Sequence, residues 1–180
     1  MDRRTYCGLV GMTALSGCSA LSTDTVADDT GESYTTESEL EVTLDEAETQ
    51  SGGAAVFGNG TEIAGGSDSI TFVFPRLVVT NTTDESLSVP GADDFTLRSN
   101  GTRQQPYQVE FEGVLSGIEP TISDPVSGPL FPSTSGIGPE EEAEGWLVFT
   151  VPEAGRGVVL ELRLEDDVQK DWSIPVGDDQ

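Results

Sequence analysis

Histidine is absent from this chain of 180 residues, and several other side chains are nearly so. There are two Cys (Cys7 and Cys18), two Met (Met1 and Met12) and a single Lys, Lys170. Zinc, copper, iron–sulfur and haem sites draw on imidazole and sulfur ligands, so no transition metal and no cofactor is expected. Acid–base catalysis by His has no donor here, and beyond Cys18 there is no thiol to act as a nucleophile or to form a disulfide within the chain. Long apolar runs are missing too. The run Gly8–Leu15 is far short of the ~20 residues that span a bilayer.

Positive charge is the next scarcity. The chain has 33 acidic against 8 basic residues, a formal charge of −25. Without residues 1–17, which hold Asp2, Arg3 and Arg4, 32 acids face 6 bases, a balance of −26. Such self-repulsion is tolerable in a disordered chain or in concentrated salt, where charge is screened within ~3 Å at 1 M. Apolar residues recur too regularly past residue 70 for disorder. The scattered acids and near-absence of Lys resemble proteins of salt-loving archaea, which makes the acidity a solvent adaptation rather than a site. Nucleic acid and anionic lipid surfaces are not expected as partners.

Residues 1–17 have the parts of an export signal: Arg3-Arg4, the short apolar run, then small residues. Leu15-Ser16-Gly17-Cys18 resembles the lipobox, in which cleavage precedes a Cys whose thiol then carries lipid. Arg3-Arg4-Thr5-Tyr6 resembles the twin-arginine export motif, although Cys7 and Gly8 fit it loosely. The chain is therefore expected outside the cytoplasm, held to a membrane by lipid on Cys18. Residues 18–37, mostly Ser, Thr, Asp and Glu, read as a disordered tether.

Residues 38–177 read as one all-β domain. Leu40, Val42 and Leu44 alternate with polar residues, as do Tyr107, Val109 and Phe111, and Val158, Leu160, Leu162 and Leu164. Ala54–Phe57, Leu87–Val89, Phe95–Leu97 and Trp172–Val176 supply further short strands. Ile70–Thr80 is strongly apolar, but Pro75 calls for an edge or a bulge there. Trp146–Val151 is apolar on both faces and reads as central. Asp166–Lys170 could form one helical turn. Seven to nine antiparallel strands, spaced by turn residues, indicate an immunoglobulin-like β-sandwich.

Three segments carry a family resemblance. Leu77–Ser86 looks like the strand and polar turn of a telokin-like, immunoglobulin-like exported domain of unknown function, found in lipoproteins of halophilic archaea. Asp94–Leu97 with Asn100-Gly101 is similar to its next strand and turn. Glu140–Glu144 followed by Gly145–Pro152 resembles its acidic turn and Gly-Trp strand. The chain has Gly138-Pro139 where the family often has Pro-Gly. The resemblance implies structural work for these positions: Asn81 capping its turn, Trp146 and Phe149 filling the core.

Each of the three Asn, at 59, 81 and 100, opens a glycosylation sequon, with Asn59 and Asn100 the better candidates for modification. The acidic pairs and triplets lack the spacing that focuses several oxygens on one calcium ion. Gly113–Pro139 is a long Gly-, Pro- and Ser-rich segment that nonetheless carries Leu115, Ile118, Ile122, Leu130 and Phe131. It reads either as a loop that packs on the core edge or as a partner-binding loop. No constellation indicates an enzyme. The expectation is a displayed binding or accessory module with a cell-envelope protein as partner; the alternative is a structural envelope component without a discrete ligand. The charge balance also predicts salt dependence. The melting temperature should rise steeply between about 0.1 M and 3 M NaCl, followed by circular dichroism. A melting point that does not move over that range would contradict the halophilic reading.

Overall fold

The computed structural model describes residues 28–58, 60–64, 70–107, 121–152, 157–164 and 167–176. The export signal, Cys18, Arg3 and Arg4, Asn59, Leu115 and Ile118 lie outside them. Alternating and β-branched sequence gives fifteen strands among these residues: β1 Ser33–Thr35, β2 Leu40–Ser51, β3 Ala54–Phe57, β4 Glu62–Ala64, β5 Ile70–Asn81, β6 Leu87–Ser88, β7 Phe95–Ser99, β8 Thr102–Gln104, β9 Thr121–Asp124, β10 Gly128–Pro129, β11 Gly136–Ile137, β12 Glu142–Trp146, β13 Phe149–Pro152, β14 Gly157–Leu164 and β15 Asp167–Pro175. The fold is all-β, a β-sandwich of antiparallel strands, as the sequence indicates, but the fifteen described strands exceed the seven to nine expected because several are only two or three residues long. No described helix is long and apolar enough to cross a membrane.

The first sheet runs β1-β2-β5-β12, with β13 also paired to β5; the second runs β15-β14-β7-β8. Their facing sides enclose the main core, which includes Leu44, Leu77, Phe95, Leu97, Phe149, Leu160 and Trp172. A third, smaller sheet, β10-β9-β3-β4, has its own apolar cluster of Phe57, Phe72, Phe74, Ile122, Trp146 and Val148.

Strand β5 belongs to both cores. Residues 71–75 are buried throughout, with Val73 in the main core and Phe72 and Phe74 in the second. From Arg76 onward burial alternates, because only one face is covered there. Pro75 lies inside this central strand rather than on an edge. It falls at the break where β12 ends opposite Arg76 and β13 begins opposite Val73. Leu147 bridges the break by donating its N–H to the Pro75 carbonyl at 2.9 Å. The Trp146–Val151 segment is thus apolar on both faces because its side chains split between the two cores.

Two sequence expectations change. The tether does not extend to residue 37. Asp29 N–H donates to the Ser173 carbonyl at 3.0 Å, and the Asp29 carboxylate accepts from Ser173 N–H at 2.7 Å. Trp172 Nε1–H donates to the Glu32 carbonyl, and β1 then pairs with β2. Residues 29–35 therefore run from the β15 edge of the second sheet to the β2 edge of the first. This segment has few apolar residues; backbone hydrogen bonds hold it, and hydropathy cannot register those. The proposed helical turn near Asp166–Lys170 is instead strand over Asp167–Lys170, paired with Arg163, Leu164 and Leu162 of β14. The expected strand around Tyr107–Phe111 falls mostly outside the described residues.

Residues 130–131 cross over β12, with Phe131 N–H donating to the Trp146 carbonyl at 3.0 Å. Gly145 makes that crossing possible. A Cβ there would lie 2.6 Å from the Phe131 nitrogen and 2.7 Å from the Leu130 carbonyl carbon. Backbone cannot yield as a flexible side chain does. Gly145→Ala should lower unfolding stability by about 1–3 kcal/mol or more in urea titration. A change within about 0.5 kcal/mol would refute the close approach.

Candidate functional site

Asn81, one of the three candidate glycosylation positions, has its side chain engaged within the fold. It is fully buried, and its Nδ2 donates to the carbonyls of Glu85 at 2.7 Å and Gly138 at 2.9 Å. Its Oδ1 accepts from Thr83 N–H and the Thr83 hydroxyl. This is the turn-capping role expected of it, and it ties the end of β5 to the segment before β12. Asn100 stands differently: exposed, with φ +49, at the tip of the β7–β8 hairpin beside Gly101 at φ +79. It remains accessible.

The described part of the expected partner loop, residues 121–139, carries buried apolar residues. Ile122 is 1% exposed and Phe131 5% exposed. Ile122 belongs to the second core; Phe131 belongs to the main core and meets the Phe95 ring edge-on at 5.4 Å between centroids. Neither can touch a partner. Leu130 is half-buried against the second core and pairs with Trp146 in a single parallel bridge. Among the described residues of this segment, Ile122 and Val126 are buried in the second core and Phe131 in the main core.

Part of the same segment nevertheless walls a cleft of about 570 Å³. Pro125, Val126 and Ser127 form one side, and Glu46, Glu48 and Gln50 on the outer face of β2 form the other. Phe74 and Trp146 line its base. Gln50 Oε1 is buried and has no hydrogen-bond partner among the described residues. The cleft therefore offers two carboxylates beside Phe74 and Trp146, a chemistry suited to donor-bearing groups. Sequence reasoning missed it, because alternating acids on β2 look like any solvated face. Among the described residues no cluster could hold a metal ion.

A second polar arrangement lies on the outer face of the second sheet. Glu161 of β14 is 2% exposed. Its Oε1 accepts from Arg98 Nε at 2.6 Å and its Oε2 from Arg103 Nε at 2.6 Å. Arg103 Nη2 adds a longer bond to Oε1 at 3.4 Å. Arg163 Nη1 lies 3.9 Å from Oε2, and the Thr96 hydroxyl donates to Oε2 at 3.4 Å. Strand pairing builds the group: Thr96 faces Glu161, and Arg98 faces both Val159 and Arg103. The outward period of Val159, Glu161 and Arg163 carried a partial signal of it.

No protein-family model matches the chain. No curated protein matches it either. Solved structures do resemble it. A conserved hypothetical protein of Bacillus anthracis has TM-score 0.50 at 12% identity, covering 82% of this chain and 94% of that one. A protein of unknown function from Listeria monocytogenes has TM-score 0.48 at 12% identity, covering 84% and 86%. A candidate lipoprotein of Bacillus subtilis has TM-score 0.44 at 16% identity over 80% of this chain, which spans 38% of that protein's length. At 12% identity the likeness to the Bacillus anthracis protein concerns the fold alone.

Glu161 links the second sheet to pH. Burial by itself would raise its carboxyl, but hydrogen bonds from Arg103 and Arg98, with their charges, outweigh this and hold it below the ordinary value of 4.5. A depressed native pKa contributes stability above the unfolded value and loses it as pH falls through the native one. Asp94 works in the opposite direction: burial raises its carboxyl despite the bond from Gly91 N–H. Glu161→Gln should lower stability at neutral pH by about 1–2 kcal/mol, a modest loss because Arg98 and Arg103 stay hydrated. The gap from the parent protein should close below the ordinary glutamate pKa of 4.5. A gap that persists unchanged in acid would show that the charge of Glu161 is irrelevant.

Proposed function

We propose that the chain is a lipid-anchored extracytoplasmic lipoprotein that displays its β-sandwich as a non-enzymatic binding or accessory module. The observation that carries this reading is the position of Cys18. It closes the Leu15-Ser16-Gly17-Cys18 lipobox only ten residues before Asp28, where the described sandwich begins. Ten residues reach at most ~36 Å when extended, so lipid on Cys18 would keep the domain close to the membrane. The cleft beneath Pro125–Ser127 is the concave surface such a module would present to an envelope partner. The excess of acids, the single Lys and the quoted strand motifs support a telokin-like domain from a salt-loving archaeon.

Cys18→Ser tests the anchor in the native host. The parent protein should partition with membranes and into detergent. The variant should accumulate as an unprocessed precursor or appear in the soluble fraction. Unchanged processing and membrane retention of Cys18→Ser would overturn the reading.

A further inference from the structure

The outer face of the second sheet carries positive charge that its buried carboxylate does not consume. One arginine would neutralise Glu161; Arg98 and Arg103 both bind it. The contrast is Arg76, which lies between two acids, Asp45 and Glu144, as expected where acids are in excess. On the second sheet two arginines, Arg98 and Arg103, converge on the single carboxylate of Glu161.

The geometry leaves donors to spare. Glu161 engages Arg98 only at Nε, and Arg103 at Nε and Nη2. Both Nη groups of Arg98 and Nη1 of Arg103 have no partner among the described residues. Arg98 and Arg103 are direct cross-strand neighbours, with side chains 39% and 51% exposed. Like charges so placed repel unless something lies between them. Glu161 holds them at their inner atoms, so the outer guanidinium edges face solvent already ordered. Pre-ordered guanidinium edges are the usual means of gripping carboxylate, sulfate and phosphate.

We propose that Arg98 and Arg103, held by Glu161, form a binding site for an oxyanion group such as sulfate, phosphate or carboxylate. The group is either free in solution or displayed on an envelope polymer. This site is separate from the cleft and does not depend on the lipid anchor.

The test uses the full chain at fixed ionic strength, in the lowest NaCl that keeps it folded. Chloride is replaced stepwise by sulfate, or dextran sulfate is added, and the melting temperature is followed. A ligand of the native state raises stability in a saturating way, whereas the general effect of sulfate on protein surfaces does not saturate. Arg98→Gln/Arg103→Gln removes the site. Arg98→Lys/Arg103→Lys keeps Glu161 paired but removes the forked donors, and should weaken binding by about tenfold or more. Arg76→Lys should respond like the parent protein. A saturating rise with free sulfate, lost in both double variants, supports a site for the free ion. A rise with dextran sulfate alone, lost in the same variants, supports recognition of the displayed group. If the Gln variant fails to fold, the Lys variant carries the comparison. Equal responses from the parent and the Lys variant to both probes overturn the proposal.

Discussion

Burial of residues 71–75 on both faces is the constraint on which the rest of the architecture depends. A strand covered on both sides needs a layer over each, and this chain supplies them unequally. The second sheet, β15-β14-β7-β8, covers one face along the length of the strand. The third sheet covers the other face only over the apolar first half of β5. The neighbours of β5 adapt to that change. β2 shifts register between Leu44 and Glu46, and the partner strand on the opposite side is split into β12 and β13 around Pro75. Proline, which has no N–H to pair, sits where the ladder is already interrupted.

Much of this was legible in the sequence. Strands with one covered face show a period of two, and Leu40–Leu44, Phe95–Leu97 and Val158–Leu164 followed it. The double-faced apolarity of Trp146–Val151 reflected burial on both sides but not the central strand expected of it: the segment is split between β12 and β13, which pair only with β5 at the end of the first sheet, so its second face is covered by the third sheet rather than flanked by strands. Asn81 was correctly assigned to its turn. The remaining misreadings and open readings share a cause. Residues 29–35 are held by backbone bonds to Ser173 and Leu44 and by a carboxylate, none of which leaves a hydropathy pattern. Ile122 and Phe131 left packing and partner contact both open as readings, because the residues they pack with, Phe57, Phe72 and Phe95, are distant in sequence; the structure has them packed. Composition can mark such residues as unusual for a loop, but it cannot say whether the surface they seek is within the same chain.

The polar arrangements were harder still to read. Glu46, Glu48 and Gln50 are ordinary outward residues of β2 until the third sheet folds over them. Arg98, Arg103 and Glu161 come from two separate stretches of chain, and only the pairing of β14 with β7 and of β7 with β8 brings them together. In a chain with so few bases, the informative signal was the spacing of the arginines rather than the abundance of acids. Each acid has many equivalents on the surface, whereas the placement of each cation is a distinct choice.

The lacing of residues 29–35 along both sheet edges also has a mechanical meaning. A domain held at its N-terminal end bears any drag or tension first at Asp29. The bonds there, to Ser173 and then from Glu32 to Trp172 and Leu44, lie in sequence along the chain and would open one after another rather than all at once. The pairing of β2 with β5 stays closed while β1 peels from β2. Those seven residues could release about 23 Å of additional length at ~3.3 Å each. The edge strand would then act as a reserve that yields under load and re-forms when the load is removed, leaving the sandwich intact.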